Sequence, residues 1–299
     1  RSPGDIAAVS SPTRRDPHCS RGSVKATTAG GSRRPLRSDS RESFAGVDNP
    51  TSPQPLDSMT AVSTPHRVAL MLFAKPPIAG RSKTRLAESV GAANAALLAA
   101  AFLRDTVANL RDLPHTTLSL ALTEPWSRYE AVDPALGAEL GDLPRFDQGE
   151  GDRGARMERA LRRGLEDADS AVILGADSPG LPRAHVEAAL RNLQDADCVF
   201  GPALDGGYYL IGLRRCPEGC LANLPWSQSD TLQESLSRLF SLGFSPTVAP
   251  SFFDVNTRAD LETFSEGVAA GLWRAPHTEA ALQTMRDRAA AGSSEIIGA

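Results

Sequence analysis

Hydrophobic and polar residues alternate in a regular order along the chain from residue 68 onwards. Short apolar runs predict buried strands at 68–73, 117–122, 171–174, 198–200 and 208–213, with a shorter strand near Thr247 and Val248. Apolar residues spaced three and four positions apart predict helices at 92–110, 153–165, 183–193, 228–242 and 258–270. Because strands take turns with helices, the pattern predicts an α/β fold with a mostly parallel sheet and helices on both faces. Ligands are expected at the carboxyl ends of the strands.

The chain begins with a segment of different composition. Residues 1–65 hold twelve serines and eight prolines, show no apolar period, and carry nine basic and six acidic residues. Such a segment cannot bury enough apolar surface to offset the entropy lost on ordering, so we expect a disordered tail. Because the first methionine is Met59, a mis-called or fused extension is the alternative. We expect one folded domain at 66–275, followed by a C-terminal helix and tail at 276–299.

Composition excludes several classes of protein. The formal net charge of −4 gives no basic surface for nucleic acid. The longest apolar stretches, such as 95–103, are far shorter than the roughly 18 to 20 residues that span a bilayer. Four cysteines are too few for a disulfide framework, and Cys216 and Cys220 have no second pair or histidine cluster to complete a zinc site. These features predict a protein of the reducing cytoplasm.

The loop after the first predicted strand is rich in cations. Residues 74–86 read A-K-P-P-I-A-G-R-S-K-T-R-L. Between a strand and a helix, such a loop offers free backbone N–H groups to an anion, while Lys83 and Arg85 supply positive charge. A Walker loop is excluded because Pro77 and Ser82 stand where that motif needs glycine. The loop therefore predicts an anion site, with a solvated basic loop as the alternative.

A glycine-rich polar loop at 149–154 precedes the predicted helix that carries Arg156 and Met157. Its glycines would allow it to close over a ligand. A turn followed by a helix start is the simpler interpretation.

The third predicted strand ends in G-A-D-S-P-G at 175–180. This spacing puts the Asp177 carboxylate at the carboxyl edge of a buried strand, where phosphates are expected. Proteins hold Mg²⁺ by one or two carboxylates together with substrate phosphates, so Asp177 is a candidate metal ligand. In the alternative interpretation, Asp177 or Ser178 only caps the next helix, whose first turn would contain Pro182.

The segment 201–209 contains Asp205 between two apolar runs. An Asp-Gly pair between two strands is typical of a hairpin turn. Three glycines beside one carboxylate and two tyrosines would also let a sugar or phosphate approach the backbone. Asp205 is therefore either a turn residue or a group that contacts substrate, with Gly206, Gly207 and Tyr208 beside it.

Two capping boxes are predicted, at 257–260 and at 227–230. Asp254 and Asn256 precede the first box and have no capping role of their own. They are therefore candidates for a second metal ligand.

Six motifs, taken in order, resemble a known family. They are A-K-P-P-x-x-G-x-x-K-T-R-L, Q-G-x-G-D-x-G-x-R-M, G-A-D-S-P-G-L, G-P-A-x-D-G-G-Y-Y-L-I-G-L, L-P-W-S and D-V-N-T-x-x-D-L. Over residues 67–264 the chain resembles the small bacterial glycosyltransferase-A-like proteins labelled arsenosugar-biosynthesis glycosyltransferases. It is similar, more remotely, to the molybdenum-cofactor and phospholactate guanylyltransferases of the same nucleotide-diphosphosugar transferase superfamily.

The resemblance implies a Rossmann-like glycosyltransferase-A fold. It also implies that the first loop holds a nucleotide and that an aspartate at the place of Asp177 holds a divalent metal. The nucleotide-binding residues would then be Lys75, Gly80, Lys83, Thr84, Arg85 and Arg156. The chain departs from the common family pattern at Arg153, where leucine is usual, and at Asn256, where aspartate is usual.

Together these features favour an enzyme, namely a metal-dependent glycosyltransferase with a nucleotide-diphosphate sugar donor. Asp177 and Asp254 would hold Mg²⁺ or Mn²⁺. Asp205 would position or deprotonate the acceptor, beside Gly206, Gly207 and Tyr208. A guanylyltransferase-like enzyme that joins a nucleoside triphosphate to a small phosphorylated acceptor is the first alternative, and a non-enzymatic nucleotide-binding protein is the second.

Overall fold

The computed structural model describes the backbone of residues 65–297 and the side chains of residues 65–291. The predicted tail at 1–65 therefore lies outside the described residues, apart from Pro65. The strands are β1 (Val68–Ala74), β2 (Thr116–Leu122), β3 (Arg145–Asp147), β4 (Ser170–Gly175), β5 (Cys198–Pro202), β6 (Tyr208–Leu213) and β7 (Pro246–Val248). The helices are α1 (Thr84–Val90), α2 (Ala92–Leu110), α3 (Trp126–Val132), α4 (Pro134–Leu140), α5 (Arg153–Gly164), α6 (Arg183–Asp195), α7 (Thr231–Ser241), α8 (Arg258–Ala269) and α9 (Pro276–Ile297).

The strands form one sheet in the order β3-β2-β1-β4-β6-β5-β7. β1 is parallel to both of its neighbours, and Leu72 lies opposite Leu120 on β2 and Leu174 on β4. β6 alone among the described strands runs antiparallel to its neighbours, β4 and β5. It reverses because a tight turn joins it to β5, whereas a parallel strand needs a longer crossover. The predicted α/β fold with a mostly parallel sheet is confirmed.

Alternate strand residues point to opposite faces of the sheet, and helices cover both. On β1, Leu70 and Leu72 belong to a core with α2 and α6, whereas Met71 belongs to a second core with α5 and α7. All three side chains are at most 1% exposed. This two-sided burial explains why the central strands read as continuous apolar runs.

A third apolar cluster fixes the loops at the carboxyl edge of the sheet. It joins Leu86 of α1 and Phe102 of α2 to Phe264 of α8 and Ala281 of α9. The basic loop immediately precedes α1, and the segment that contains Asp254 immediately precedes α8. Packing between these helices therefore brings the two segments together.

The apolar pattern does not predict α1, α3, α4 or β3. Each has only three to seven residues, which is too short to show a period. Long-range contacts stabilise them instead, since Leu86 on α1 and Tyr129 on α3 are both 0% exposed.

The predicted capping box at 257–260 is confirmed at the start of α8. The one predicted at 227–230 is wrong, because α7 begins at Thr231 and its N-cap Asp230 makes no side-chain cap. Ser227 has a left-handed φ of 64°, whereas an N-cap residue normally lies in the extended region. Within residues 65–297, no helix is long and apolar enough to cross a membrane.

Candidate functional site

A cleft of about 700 Å³ opens at the carboxyl edge of the sheet. It lies among the loops after β1 and β4, the first turn of α5, the β5–β6 turn and the segment before α8. Predicted site residues that line it are Lys75, Lys83, Thr84, Arg85, Arg156, Asp177, Asp205, Gly207, Tyr208 and Asp254. The cleft thus brings together side chains that are up to 179 positions apart in the sequence, from Lys75 to Asp254.

The two remaining predicted residues, Gly80 and Gly206, do not line the cleft but shape its walls. Gly80 has a φ of +78° in the turn that closes the basic loop. Gly206 has a φ of +88°, and a Cβ there would lie 2.0 Å from the carbonyl oxygen of Ser229. Both positions therefore require glycine for the backbone path.

Ser82 holds the basic loop in shape, a role that the sequence did not reveal. Its hydroxyl donates to the Pro76 carbonyl over 2.6 Å and accepts the Ile78 N–H over 3.1 Å. The side chain is buried within the loop that it cross-links. These bonds leave the exposed Lys75 and Arg85 at the cleft.

Lys83 turns inward and pairs with Asp177, a contact that the sequence did not predict. Its side chain is 7% exposed, and its ammonium lies 2.6 Å from Asp177 Oδ1. The same ammonium donates to the Val255 carbonyl over 2.8 Å and lies 5.3 Å from the centre of the Phe102 ring. In this geometry Lys83 orients and compensates Asp177 rather than projecting into the cleft.

Asp177 and Asp254 form an electrostatically strained pair. The Asp177 side chain is 52% exposed and lines the cleft. Burial raises the pKa of Asp177, but the charge and hydrogen bond of Lys83 outweigh burial, so the net pKa is lowered. Burial, followed by the charge of Asp177, raises the pKa of Asp254 to about 6.

Asp254 has a hydrogen-bond partner from a distant part of the chain. The Ser178 hydroxyl donates to Asp254 Oδ1 over 2.5 Å, and the Asp177 carbonyl accepts the Val255 N–H over 2.9 Å. These bonds tie the end of β4 to the segment before α8. The alternative interpretation, in which Asp177 or Ser178 caps the next helix, is wrong because α6 begins beyond them with Pro182 as its N-cap.

The first turn of α5 adds cations from the other side of the cleft. Asp152 caps the helix by accepting the Ala155 N–H over 2.8 Å, which confirms the turn and helix start. Among the described residues, the hydrogen bonds of Arg156 are long, at 3.5 Å to Gln148 Oε1 and 3.3 Å to the Asp152 carbonyl. Arg153 also lines the cleft and is exposed. The sequence marked Arg153 only as a departure from the family pattern, because its proximity to Asp177 depends on the fold.

The segment 201–209 is a hairpin turn, as one interpretation predicted. Asp205 Oδ1 accepts the Gly207 N–H over 3.1 Å, and the exposed carboxylate borders the cleft. Tyr208 presents its ring, which packs edge-on against Trp226 with centroids 6.4 Å apart. Burial raises the pKa of its hydroxyl, which therefore stays protonated. The turn and the contact with substrate are compatible roles.

The donor set at the cleft fits a divalent cation. No group of three or more histidine, cysteine, aspartate or glutamate side chains arranged to hold a metal occurs among residues 65–291. Asp177 and Asp254 lie close enough for the charge of one to raise the pKa of the other. Two carboxylates, completed by substrate phosphates and water, are the usual protein contribution to Mg²⁺.

Comparison with known proteins supports the α/β fold described above. A family model described as "Uncharacterized protein conserved in bacteria (DUF2064)" matches residues 106–228. A protein from Desulfovibrio desulfuricans G20, provisionally named a nucleotide-diphospho-sugar transferase, has a crystal structure that matches this chain with a TM-score of 0.65. The two sequences are 31% identical. That alignment covers 74% of this chain and 97% of the other. No curated protein matches the chain.

Other structures are more distant. A cytidylyltransferase from Leptospira borgpetersenii is 13% identical, with a TM-score of 0.46 over 75% of this chain and 96% of the other. The inositol-1-phosphate CTP transferase from T. maritima is 10% identical, with a TM-score of 0.44 over 69% and 96%. Similarities at this level carry no argument about activity, and none of the three structures bears the arsenosugar label.

The match to the Desulfovibrio protein extends over nearly all of that protein. The family model independently covers the stretch from α2 to the loop before α7. The chain therefore belongs to the same family as the Desulfovibrio protein, matches the DUF2064 model over residues 106–228, and has the Rossmann-like fold of nucleotide-diphospho-sugar transferases.

Proposed function

We propose that this chain is a metal-dependent transferase that moves a glycosyl group from a nucleotide-diphosphate sugar to a small acceptor. The observation that carries this proposal is the meeting of Asp177, Asp254 and Asp205 in one cleft with unpaired cations. Family membership supports a transferase, since the Desulfovibrio relative is provisionally named one.

Asp177 and Asp254 are the residues that would hold Mg²⁺ or Mn²⁺. When bound, the ion would neutralise negative charge on the departing diphosphate. Lys83 keeps Asp177 ionised and oriented through their contact of 2.6 Å. Asp254 must lose its proton to serve as a ligand, and its pKa of about 6 allows this at neutral pH.

The donor phosphates would lie against Lys75 and Arg85 on one side of the cleft and Arg153 on the other. Among the described residues, none of these three side chains makes a hydrogen bond or an ion pair with the protein, so their donors are available to phosphate oxygens. Arg81, in contrast, is paired with Glu124 over 2.7 Å. The phosphates would thus be held by cations that make no hydrogen bond or ion pair with the described part of the protein.

Asp205 would orient the acceptor hydroxyl and take its proton as the hydroxyl oxygen attacks the anomeric carbon of the donor. The bond between that carbon and the phosphate oxygen breaks, and the nucleoside diphosphate leaves. Asp205 is exposed at the cleft and fixed by the Gly207 N–H, which suits a general base that must meet different acceptors.

Nucleotidyl transfer is the second candidate. The same cations would hold a nucleoside triphosphate, and the number of uncompensated cations in the cleft suits its larger negative charge. In that reaction a phosphate oxygen of the acceptor attacks the α-phosphorus, and pyrophosphate leaves.

One screen separates these functions. The melting temperature of the full chain would be measured with nucleoside diphosphates, triphosphates and nucleotide sugars, each with and without Mn²⁺. A ligand at about 100 times its Kd adds about 2.7 kcal/mol to stability. Stabilising ligands would then be incubated with sugar, phosphorylated and arsenic-containing acceptors. Release of nucleoside diphosphate supports glycosyl transfer, release of pyrophosphate supports nucleotidyl transfer, and binding without product supports a non-enzymatic role.

A further inference from the structure

Two thiols face each other behind the wall of the cleft. Cys216 and Cys220 lie in the turn after β6, and their Sγ atoms are 3.6 Å apart. Cys220 is 0% exposed, whereas Cys216 is only partly buried. Cys198, in contrast, is buried inside β5. One thiol of the pair is therefore within reach of a small reagent, and the other lies directly behind it.

The turn that carries these thiols is bound firmly to α5. Glu158 accepts the Leu221 N–H over 2.6 Å and the Gly219 N–H over 3.0 Å. Arg162 donates to the Cys216 carbonyl over 3.1 Å. Because the backbone is held on both sides of Cys220, the two sulfurs stay adjacent without a covalent bond.

The pair is chemically asymmetric. The hydrogen bond from Cys220 lowers the pKa of Cys216, and this effect outweighs the opposing effect of burial. Donating that bond, together with burial, raises the pKa of Cys220. Burial raises the pKa of Cys198 to about 12. The thiolate is the reactive form of cysteine, so Cys216 is the first of the three to react.

We propose that Cys216 and Cys220 form a reversible intramolecular disulfide, an oxidation site that tethers the turn behind the cleft. The Cys216 thiolate attacks a hydroperoxide such as hydrogen peroxide, an S–O bond forms, the O–O bond breaks, and the departing oxygen leaves as water after taking a proton. The Cys220 sulfur then attacks the sulfenic sulfur, the S–S bond forms, and the S–O bond breaks to release a second water with the Cys220 proton. Two thiols are oxidised and one peroxide is reduced.

The tether acts on a segment that also forms the cleft. Trp226 follows Cys220 by six positions and lines the cleft. At the first turn of α5, a Cβ on Gly154 would lie 2.2 Å from the Leu221 carbonyl oxygen and 3.2 Å from Trp226 Cζ2. The turn and the helix start are thus in close contact, and a Cys216–Cys220 cross-link restricts the backbone of the turn that makes this contact. This inference rests on the thiols alone and is independent of the proposed function.

The test uses the unmodified full chain. It is treated with hydrogen peroxide, its free thiols are alkylated, and it is digested with trypsin. Cleavage after Arg215 and Arg238 leaves both cysteines in one peptide, so no substitution is needed. We expect this peptide to lose two hydrogen atoms and escape alkylation, and dithiothreitol to restore both thiols. Retention of both free thiols, covalent dimers linked through Cys216 or Cys220 as the main product, or Cys216 halted as a sulfinic acid would overturn the proposal.

Single variants assign the order of the steps. In Cys220→Ser, Cys216 should stop at the sulfenic acid, which dimedone traps. In Cys216→Ser, Cys220 should resist the same treatment. Amide hydrogen exchange should slow by tenfold or more across 217–226 in the oxidised chain. Equal exchange rates in the two states would contradict the tether, and equal dimedone labelling of the two variants would contradict the assigned order.

Discussion

Lys83 illustrates how a single side chain changes role once its neighbours are known. Its ammonium is shared by Asp177, the Val255 carbonyl and the face of Phe102. Replacing Lys83 would remove the positive charge that stabilises the Asp177 carboxylate, in addition to any contact with a bound phosphate. The effect of a Lys83 variant on ligand binding would therefore not be separable from its effect on the structure of the site. Arg85 and Arg153 provide cleaner tests, because both are exposed at the cleft and unpaired among the described residues.

Arg85→Ala and Arg153→Ala should each weaken nucleoside-diphosphate binding by about 1.5 to 3 kcal/mol, the usual range for hydrogen bonds to charged groups. The melting temperature without ligand should not change, because neither guanidinium bonds to a described residue. Isothermal titration measures the effect. Arg191→Ala, an exposed arginine of α6 outside the cleft, is the matched control. Unchanged affinity in the double variant would show that the phosphates bind in another part of the cleft.

Asp177→Asn and Asp205→Asn should fail in different ways. The first removes negative charge from the metal site, so metal-dependent turnover should be abolished. The second removes the proposed proton acceptor but none of the proposed metal or phosphate ligands, so donor and metal binding should persist while the chemical step slows by about 10² to 10⁴. Donor titration in parallel with turnover distinguishes them. If Asp205→Asn alone lost metal binding, the two roles would be exchanged.

Asp254→Asn should stabilise the protein in a pH-dependent manner. The folded pKa of about 6 exceeds the ordinary value of 3.8, so the ionised carboxylate destabilises the folded state above about pH 6. This penalty is absent below the unfolded pKa. At neutral pH the free energy of unfolding of the variant should therefore exceed that of the unmodified protein by about 1 to 3 kcal/mol. This difference should decrease towards pH 4.

Urea unfolding of both chains across this pH range measures the difference. A gain for Asp254→Asn that is independent of pH would show that Asp254 has the same pKa in the folded and unfolded states, which would contradict the prediction. Stabilisation together with loss of metal binding is the result expected for a residue that serves function at the expense of stability.

At the scale of elements, two similar S/T-x-x-D sequences, at 227–230 and 257–260, adopt different structures. Both S/T-x-x-D sequences predict capping boxes, but only the one at 257–260 caps a helix. Thr257→Ala should lower the free energy of unfolding by about 0.5 to 2 kcal/mol. Ser227→Ala, which removes the same type of hydroxyl, should change it by less than about 0.5 kcal/mol. Urea unfolding compares the two, and equal losses would show that Ser227 also contributes a cap.

The longer elements were predicted closely because their sequences carry a local period. The structure places α2 at the predicted 92–110 and extends the central strands by only one or two residues. Short elements such as β3 and α1 were missed, since their formation depends on neighbours that are distant in sequence. The sequence predicted the antiparallel direction of β6 only as one of two interpretations, the hairpin turn at Asp205 and Gly206. Such a turn indicates that β6 pairs with β5, but it does not identify β4 as the neighbour on the other side of β6.

At the scale of the whole molecule, the segment before Met59 should be dispensable. It has no periodic apolar surface, so a chain that starts at Met59 should fold with the same melting temperature and bind nucleotide with the same affinity as the full chain. Thermal unfolding and titration of the two chains measure this. Loss of soluble protein after truncation would show that the segment is structural.

The sequence by itself determined the α/β architecture, the cationic loop and the carboxylates, because period, turn chemistry and charge are local properties. Only the tertiary structure decided what each charge does. Helices α1 and α8 pack together and set Lys83 against Asp177, and the segment before α8 brings Asp254 to the end of β4. Arg153 likewise joins the cleft through the direction of α5. The physical reason is that electrostatic interactions depend on distance in space, and a separation along the chain does not specify that distance until the core has packed.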